Sequence, residues 1–464
     1  MYKRQYHEAA RDIPVFAETD VLVVGGGPAG TTAAIGAGRL GADVMLVERY
    51  NHLGGLATGG LVIWIDRMSD WTGNQVIAGL ACDFFDRLPK DAVMGPARKD
   101  WGSKDAATTA YWKQRAAAYK DIVTWSPTLA PEALKTLSMR MVAEQNVRLV
   151  FHSWAVEPII VDNVMRGVIF ESKEGRQAIL AKVVVDTTGD ADMLARAGLS
   201  FESDIDAGDI HHCINTAFLL GGVDMDRWLA FRWEDEPRFS AFIKHGRESL
   251  SSFEKPFCSW RNDVALFMGP RLSGYSAVNV EDLSEIELRS RELTAQHLEF
   301  YRNNAPGFEN AFLMLGAPQI GVRHSRRLTG VRKIVRAQWD EGTVWDDEIG
   351  VSTSLSPKFP NISVPYGSLV PVGLDGVLGA GRHISCDANS HSFLREIPQC
   401  WMTGHAAGIG AALAANSGIQ PREVSTQLIQ RKLLEQGAYL SPSITNALAA
   451  RDANSAAALA VATG

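Results

Sequence analysis

Cysteine is scarce in this chain: five residues, Cys82, Cys213, Cys258, Cys386 and Cys400, lie far apart with no C-x-x-C pair among them. That spacing excludes a disulfide framework and a cysteine zinc site, and fits reduced thiols. No H-E-x-x-H motif occurs either, and no metal is expected. Basic excess is also lacking. Lys and Arg number 46 against 53 acidic residues, a net charge of −7, so no nucleic-acid or anionic-membrane surface is expected. There is no apolar run of about eighteen residues to span a membrane, and the polar opening MYKRQYHEAARDIPVF lacks a signal-peptide core. The expected compartment is the cytoplasm. With 46% hydrophobic and 21% charged residues over 464 positions, the chain reads as globular, neither disordered nor a repeat array.

The stretch that organises the rest is Asp20 to Glu48, DVLVVGGGPAGTTAAIGAGRLGADVMLVE, read as strand, turn, helix and strand. The apolar run Val21 to Val24 suits a buried parallel strand, and Gly25, Gly27 and Gly30 follow at the spacing G-x-G-x-x-G. The first glycine permits a tight turn, the second lets backbone approach a pyrophosphate, and the third lets helix lie close on strand. Pro28 and Ala29 open the helix, whose free amides and positive dipole end form an anion site. A second apolar strand, Val44 to Val47, delivers Glu48, eighteen residues beyond Gly30, where a ribose-binding carboxylate belongs.

Next comes Arg49 and then a loop, Gly54, Gly55, Ala57, Thr58, Gly59 and Gly60, whose glycines suit backbone lying flat against a ligand. The absence of a cysteine pair here disfavours a disulfide reductase. Residues from Trp64 to Trp125 have no clear period and read as an insertion over the cofactor. Helical spacing is expected from Pro127 to Gln145, followed by short strands at Arg148–Phe151, Ala155–Val161, Val164–Phe170, Gln177–Leu180 and Lys182–Asp186. The last runs into Thr187, Thr188, Gly189, Asp190, Ala191 and Asp192. A meander feeding a buried strand is the crossover of a flavin domain rather than of an NAD domain.

The segment from Phe201 to Val364 holds a polar helix, Val280 to Asn303, and no second G-x-G-x-x-G. Its densest basic run is Arg323-His324-Ser325-Arg326-Arg327. Such a run invites an anionic ligand, or acids elsewhere in the fold such as Asp190 and Asp192. In an extended chain Arg323, Ser325 and Arg327 would share one face, with His324 and Arg326 on the other. The run Gly376 to His383 reads as another apolar strand ending in glycines, with Gly381 and Arg382 at its end. A small-residue helix from Met402 to Ala415, with Gly404 and Gly408, can bring its backbone close to a flat ring. His211, His212, His324, His383, His391 and His405 lie outside the nucleotide unit, and any one taken alone reads first as a structural or surface residue.

The motifs VVGGGPAG with Glu48, HLGGLATGGLV, VVDTTGDADMLARAG, GVRHSRRLTG, and VLGAGRHIS followed by TGHAAGIGAAL occur in order from residue 20 to about 415. Together they resemble the FAD-dependent oxidoreductases of the glutathione-reductase superfamily, most closely the bacterial FAD-dependent oxidoreductase family. The resemblance implies extended FAD with its adenosine near Gly25 and Glu48. It implies an isoalloxazine beside Gly54 to Gly60 and the Gly379 to Arg382 strand end, and a closing helix whose N-terminus faces the pyrimidine edge. Several relatives carry Glu in place of His324, and the loop Cys386 to His391 is not the commonest form, so their substrate chemistry does not transfer.

The expected fold is α/β: a Rossmann-like FAD-binding domain of glutathione-reductase type with an interleaved α+β substrate domain. The divisions are 1–65, 126–205 and 365–418 for FAD, 66–125 for a cap, 206–364 for substrate, and 419–464 for a helical tail. The cofactor set is Gly25, Gly27, Pro28, Ala29, Gly30, Glu48, Arg49, Gly54, Gly55, Ala57, Thr58, Gly189, Asp190, Gly381, Arg382 and Gly404. The catalytic candidates are His391, His324, Arg323 and Arg326. The expected activity is hydride transfer between an anionic or aromatic small molecule and flavin N5. A flavin monooxygenase, a fumarate-reductase-like enoate reductase and an electron-transfer flavoprotein subunit are the alternatives. A Gly-Asp hydroxylase signature is missing where Gly381-Arg382 stands.

Overall fold

The computed structural model describes residues 4–203 and 214–463, with side chains through Asn454. His211, His212 and Cys213 lie outside the described residues. The first strand, Val15–Val24, is central in a seven-stranded sheet. Val44–Val47 pairs parallel on one side, followed by Arg148–Val150, and Gly175–Asp186 pairs parallel on the other. Side chains alternate across this sheet as a pleat requires. Val21 and Val23 enter the large core under the helices, while Leu22 and Val24 enter a second cluster with Met165, Val168 and Phe170.

The two short strands expected at Gln177–Leu180 and Lys182–Asp186 form one strand of 12 residues. Its first half pairs antiparallel with Val164–Ser172, which pairs in turn with Trp154–Val161. Its last three residues pair parallel with Val377–Gly379. One continuous strand therefore ties the meander to the parallel sheet. Only Ala181 separates the two expected strands, and the strand runs through it into Lys182, a solvated position ion-paired to Asp20 at 2.7 Å.

The nucleotide helix, Pro28–Gly38, and the closing helix, Ile397–Ser417, pack on one face of the sheet. The closing helix begins five residues before the expected Met402, because Pro398 occupies its first turn, where a missing N–H costs nothing. Contact between the two helices is backbone-close. A Cβ on Gly404 would overlap the Ala29 carbonyl, and one on Gly408 would overlap that of Ala33. Thr32 Oγ1 also donates to the Trp401 carbonyl at 2.9 Å.

A four-stranded antiparallel sheet orders Phe257–Cys258, Val264–Phe267, Phe218–Gly221 and Phe312–Gly316. Leu219 and Leu266 face the large core, whereas Phe218 and Phe267 face an aromatic cluster around Trp228 and Tyr301. Helices Met225–Glu234, Glu236–Ser249 and Val280–Asn304 cover that cluster. The segment after Trp64 packs inward: Phe84 and Phe85 meet Trp401, and Trp101 stacks on Trp125 at 4.5 Å. No helix among the described residues is long and apolar enough to cross a membrane. Among the same residues no group of three or more His, Cys, Asp or Glu is placed to hold a metal ion.

Candidate active site

The three motif glycines have different reasons to be glycine. Gly25 sits at φ +102°, and a Cβ there would press on the Thr187 carbonyl at 2.7 Å. Gly30 is held against the Gly25 carbonyl, with Thr187 Oγ1 at 2.7 Å from the place of its missing Cβ. Gly27 is unlike both. Its φ of −67° and ψ of −173° suit any L residue, and a Cβ there would meet nothing within 4 Å. Fold geometry thus places no demand for glycine at Gly27, and the space beside it lies in a cleft at a helix N-terminus, as a diphosphate requires.

That cleft has an empty volume of about 880 Å³ and is bordered by Gly25, Gly27, Pro28, Ala29, Glu48, Arg49, Gly55, Gly189, Gly381 and Arg382. Glu48 is buried at the end of its strand, where Oε2 accepts from Gly26 N at 2.5 Å and Oε1 from Tyr50 N at 2.8 Å. Burial pushes its carboxyl above the usual range, and the two amide donors offset part of that rise. Arg49 lies over Tyr50 at 4.9 Å and Trp154 at 5.1 Å, making an aromatic and cationic wall at this end. Tyr50, Leu56, Trp154, Gln319, Arg395, Ile397 and Cys400 also border the cleft, beyond the set expected from sequence. Ile397 and Cys400 show that the first turn of the closing helix reaches it.

The remaining expected cofactor residues shape the cleft without bordering it. Gly54, at φ +91°, donates to Gly26 O at 2.8 Å and locks the glycine loop to the nucleotide turn. Ala57 is buried, and Thr58 Oγ1 donates to Leu53 O at 2.7 Å within the same loop. Gly404 packs against Ala29, so its missing side chain serves a helix contact and not a flat ring.

Asp190 sits behind the wall in a clasp. Its carboxylate accepts from Arg382 Nη2 at 2.6 Å and from Ser325 Oγ at 2.5 Å, while Arg382 Nε donates to Gly189 O at 2.8 Å. Arg382 also reaches the Val322 carbonyl. One guanidinium therefore joins the strand end at Gly381, the Gly189 turn and the basic run. Burial pushes the Asp192 carboxyl up, with Asp190 and Asp186 adding to the rise.

The basic run does not alternate. Two short strands, Gly321–Val322 and Arg327–Leu328, flank a bend, so Ser325 and Arg326 both turn toward Asp190. Arg326 donates to Asp190 O at 2.9 Å and to Asp192 Oδ1 at 3.1 Å, and stacks over Phe201 at 5.2 Å. Arg323 lies near Glu254 and lowers its carboxyl, although burial raises that group overall. Arg327 is buried, donating to Cys386 O at 3.0 Å, to His324 Nε2 at 2.7 Å and to Glu202 at 3.2 Å.

His324 and His391 meet edge to face at 4.7 Å, both buried, and neither borders the cleft. His391 Nε2 lies 3.0 Å from Arg382 O, and burial holds the ring well below its usual pKa, with His324, Arg395 and Arg327 adding to the effect. His383 and His405 are buried too, and burial lowers both, His405 to about 4. Sequence alone missed Arg395, Gln319 and Trp154, since each comes from a distant segment. The one local signal was Pro398, which places a helix N-terminus just beyond Arg395.

Residues 20–433 match the family described as FAD dependent oxidoreductase. Over 210 residues the chain is 28% identical to digeranylgeranylglycerophospholipid reductase 2 of Methanothermobacter thermautotrophicus. The aligned stretch covers 45% of this chain and 48% of that enzyme, about half of each. A geranylgeranyl bacteriochlorophyll reductase-like protein from Thermoplasma acidophilum superposes with a TM-score of 0.49 at 15% identity, covering 91% of this chain and 84% of the other. The myxobacterial chondrochloren halogenase superposes with a TM-score of 0.43 at 12% identity, covering 90% and 78%. With an α/β Rossmann-like flavoprotein fold and this match along most of its length, the chain belongs to the FAD dependent oxidoreductase family and is an enzyme whose cofactor is FAD.

Proposed function

We propose that this enzyme moves a hydride between a small organic molecule and flavin N5, in an FAD unit of glutathione-reductase type formed by 1–65, 126–205 and 365–418. In this reading 206–364 forms the substrate domain, 66–125 a cap and 419–464 a peripheral tail. The observation that supports it is one continuous cleft. It is bordered by Glu48 and Arg49, by the side-chain-free space at Gly27, and by Gln319, Arg382 and Arg395 together with the first turn of the closing helix. Glu48 would hold the ribose, the Pro28 helix N-terminus the diphosphate, and the closing helix N-terminus the flavin edge.

When bound, FAD supplies hydride exchange, and the chain supplies orientation and charge. Arg395, which borders the cleft and is ion-paired to Glu396 at 3.0 Å, would receive a carboxylate or carbonyl of the substrate on its remaining donors. His324 and His391 act from behind this wall: they orient Arg327 and the Arg382 backbone rather than touch substrate. Arg326 holds the Asp190 turn, and Arg323 lies near Glu254, neither of these two bordering the cleft. A second reading, reduction of an unsaturated chain, has behind it the name of the Methanothermobacter relative.

Anaerobic mixing tests the proposal. The purified yellow enzyme should bleach slowly or not at all with NADH or NADPH, because the chain carries no second dinucleotide motif. It should bleach within turnover time with its organic substrate from a carboxylate library. Stoichiometric bleaching by NADPH alone would favour a monooxygenase or a chain reductase, and copurification of a redox subunit would favour an electron-transfer role.

A further inference from the structure

A second cavity lies between the helix Val280–Asn304 and the ends of strands Phe218–Gly221 and Phe312–Gly316. It has an empty volume of about 470 Å³ and shares no bordering residue with the cofactor cleft. We propose that it binds a small organic carboxylate.

Two buried hydroxyls carry the argument. Thr216 is 5% exposed and Ser290 0% exposed, and neither oxygen has a hydrogen-bond partner. A helical serine ordinarily bonds to a carbonyl one turn back. Thr294 does so, donating to Ser290 O at 2.8 Å, but Ser290 does not. Buried hydroxyls are almost always satisfied, so two orphans bordering one cavity mark a place where a ligand supplies the acceptors.

Charge sets the ligand class. Arg291 borders the cavity with its side chain 65% exposed, and its guanidinium lies 3.8 Å from where a Cβ on Gly316 would stand. Glu287 engages one of its nitrogens at 3.2 Å, leaving others to face the cavity mouth, and the bordering residues include no carboxylate. Two hydroxyl donors and one guanidinium match a monoanion. The walls from Ala217, Leu313 and Ala317 match a short apolar body better than a multiply charged phosphate. The cavity is also linked to the cofactor cleft: Ala317 N donates to Ala217 O at 2.8 Å, and Gln319, two residues on, borders that cleft.

The test titrates FAD-loaded enzyme with sodium butyrate in a calorimeter, with 1-butanol and sodium phosphate as comparisons. Saturable butyrate binding is expected, with no binding of 1-butanol and little of phosphate. Ser290→Ala, Thr216→Val and Arg291→Gln should each weaken butyrate roughly tenfold or more, with FAD content and absorbance unchanged. Arg291 is exposed, so Arg291→Gln keeps the test decisive if a core variant fails to fold. No saturable butyrate binding, equal binding of phosphate, or binding that survives Arg291→Gln and Ser290→Ala would each overturn the assignment.

Discussion

Replacing Gly27 by alanine separates what the fold needs from what the cofactor needs. The backbone at Gly27 already lies where alanine is comfortable, and the added methyl would enter open space. Two small effects oppose each other in the apoprotein: alanine restricts the unfolded chain, which stabilises, but is a poorer helix N-cap than glycine. The net change should stay below about 1 kcal/mol. Bound FAD is another matter. The methyl occupies the approach of the diphosphate to the first helical turn, and one or two charge-assisted hydrogen bonds to backbone N–H groups are lost. At about 1.5–3 kcal/mol each, a loss near 3 kcal/mol corresponds to roughly a hundredfold in Kd. Fluorescence titration of apoprotein with FAD measures the second quantity, and urea unfolding of apoprotein the first. Gly30→Ala is the contrasting control, since its methyl would overlap the Gly25 carbonyl and damage folding itself. Gly27→Ala binding FAD within about threefold of the parent would refute the reasoning, as would apoprotein destabilised as strongly as binding is weakened.

Other consequences follow from the same geometry. Gly404→Ala forces apart the nucleotide and closing helices and should cost about 1–3 kcal/mol in urea unfolding, with flavin lost in proportion. Asp190→Asn removes the charge that faces Arg382, both side chains being 12% exposed, and should destabilise by about 3 kcal/mol while releasing FAD on mild heating. His405 is held neutral by burial, its pKa near 4 against 6.5 in an open chain, so the unfolded state takes up a proton that the folded state refuses. Stability is therefore complete above about pH 6.5 and falls as pH drops toward 4, by up to about 1.4 kcal/mol per unit for this one group. His405→Gln, which keeps a partner for Gln436, should flatten that part of the pH profile of chemical unfolding.

What was legible in the sequence was whatever a local pattern enforces. The strand, turn, helix and strand from Asp20 to Glu48 appear as read, because apolar runs, glycine spacing and a terminal acid all act within thirty residues. The meander is legible except at Ala181, where the polar Lys182 that follows suggests a new strand although the strand runs on unbroken. Functions of small residues were not legible. Gly404 and Gly27 look alike on paper, yet one accommodates a neighbouring helix and the other an open cleft, a distinction set by segments nearly 400 residues apart. The arginine run pointed correctly to a concentration of charge. Which carboxylates answered it depended on a bend at His324-Ser325-Arg326 that strict strand alternation does not anticipate.

We place the FAD of this enzyme in the cleft beside Gly27. The most direct measurement releases the chromophore from protein purified without added cofactor and determines its mass and stoichiometry for the parent chain and for Gly27→Ala. The expected result is yellow parent protein carrying FAD near one per chain, and a correctly folded, largely colourless variant that regains colour only at high FAD concentration. A colourless parent that binds NAD and not FAD, or a variant as fully loaded as the parent, would contradict it.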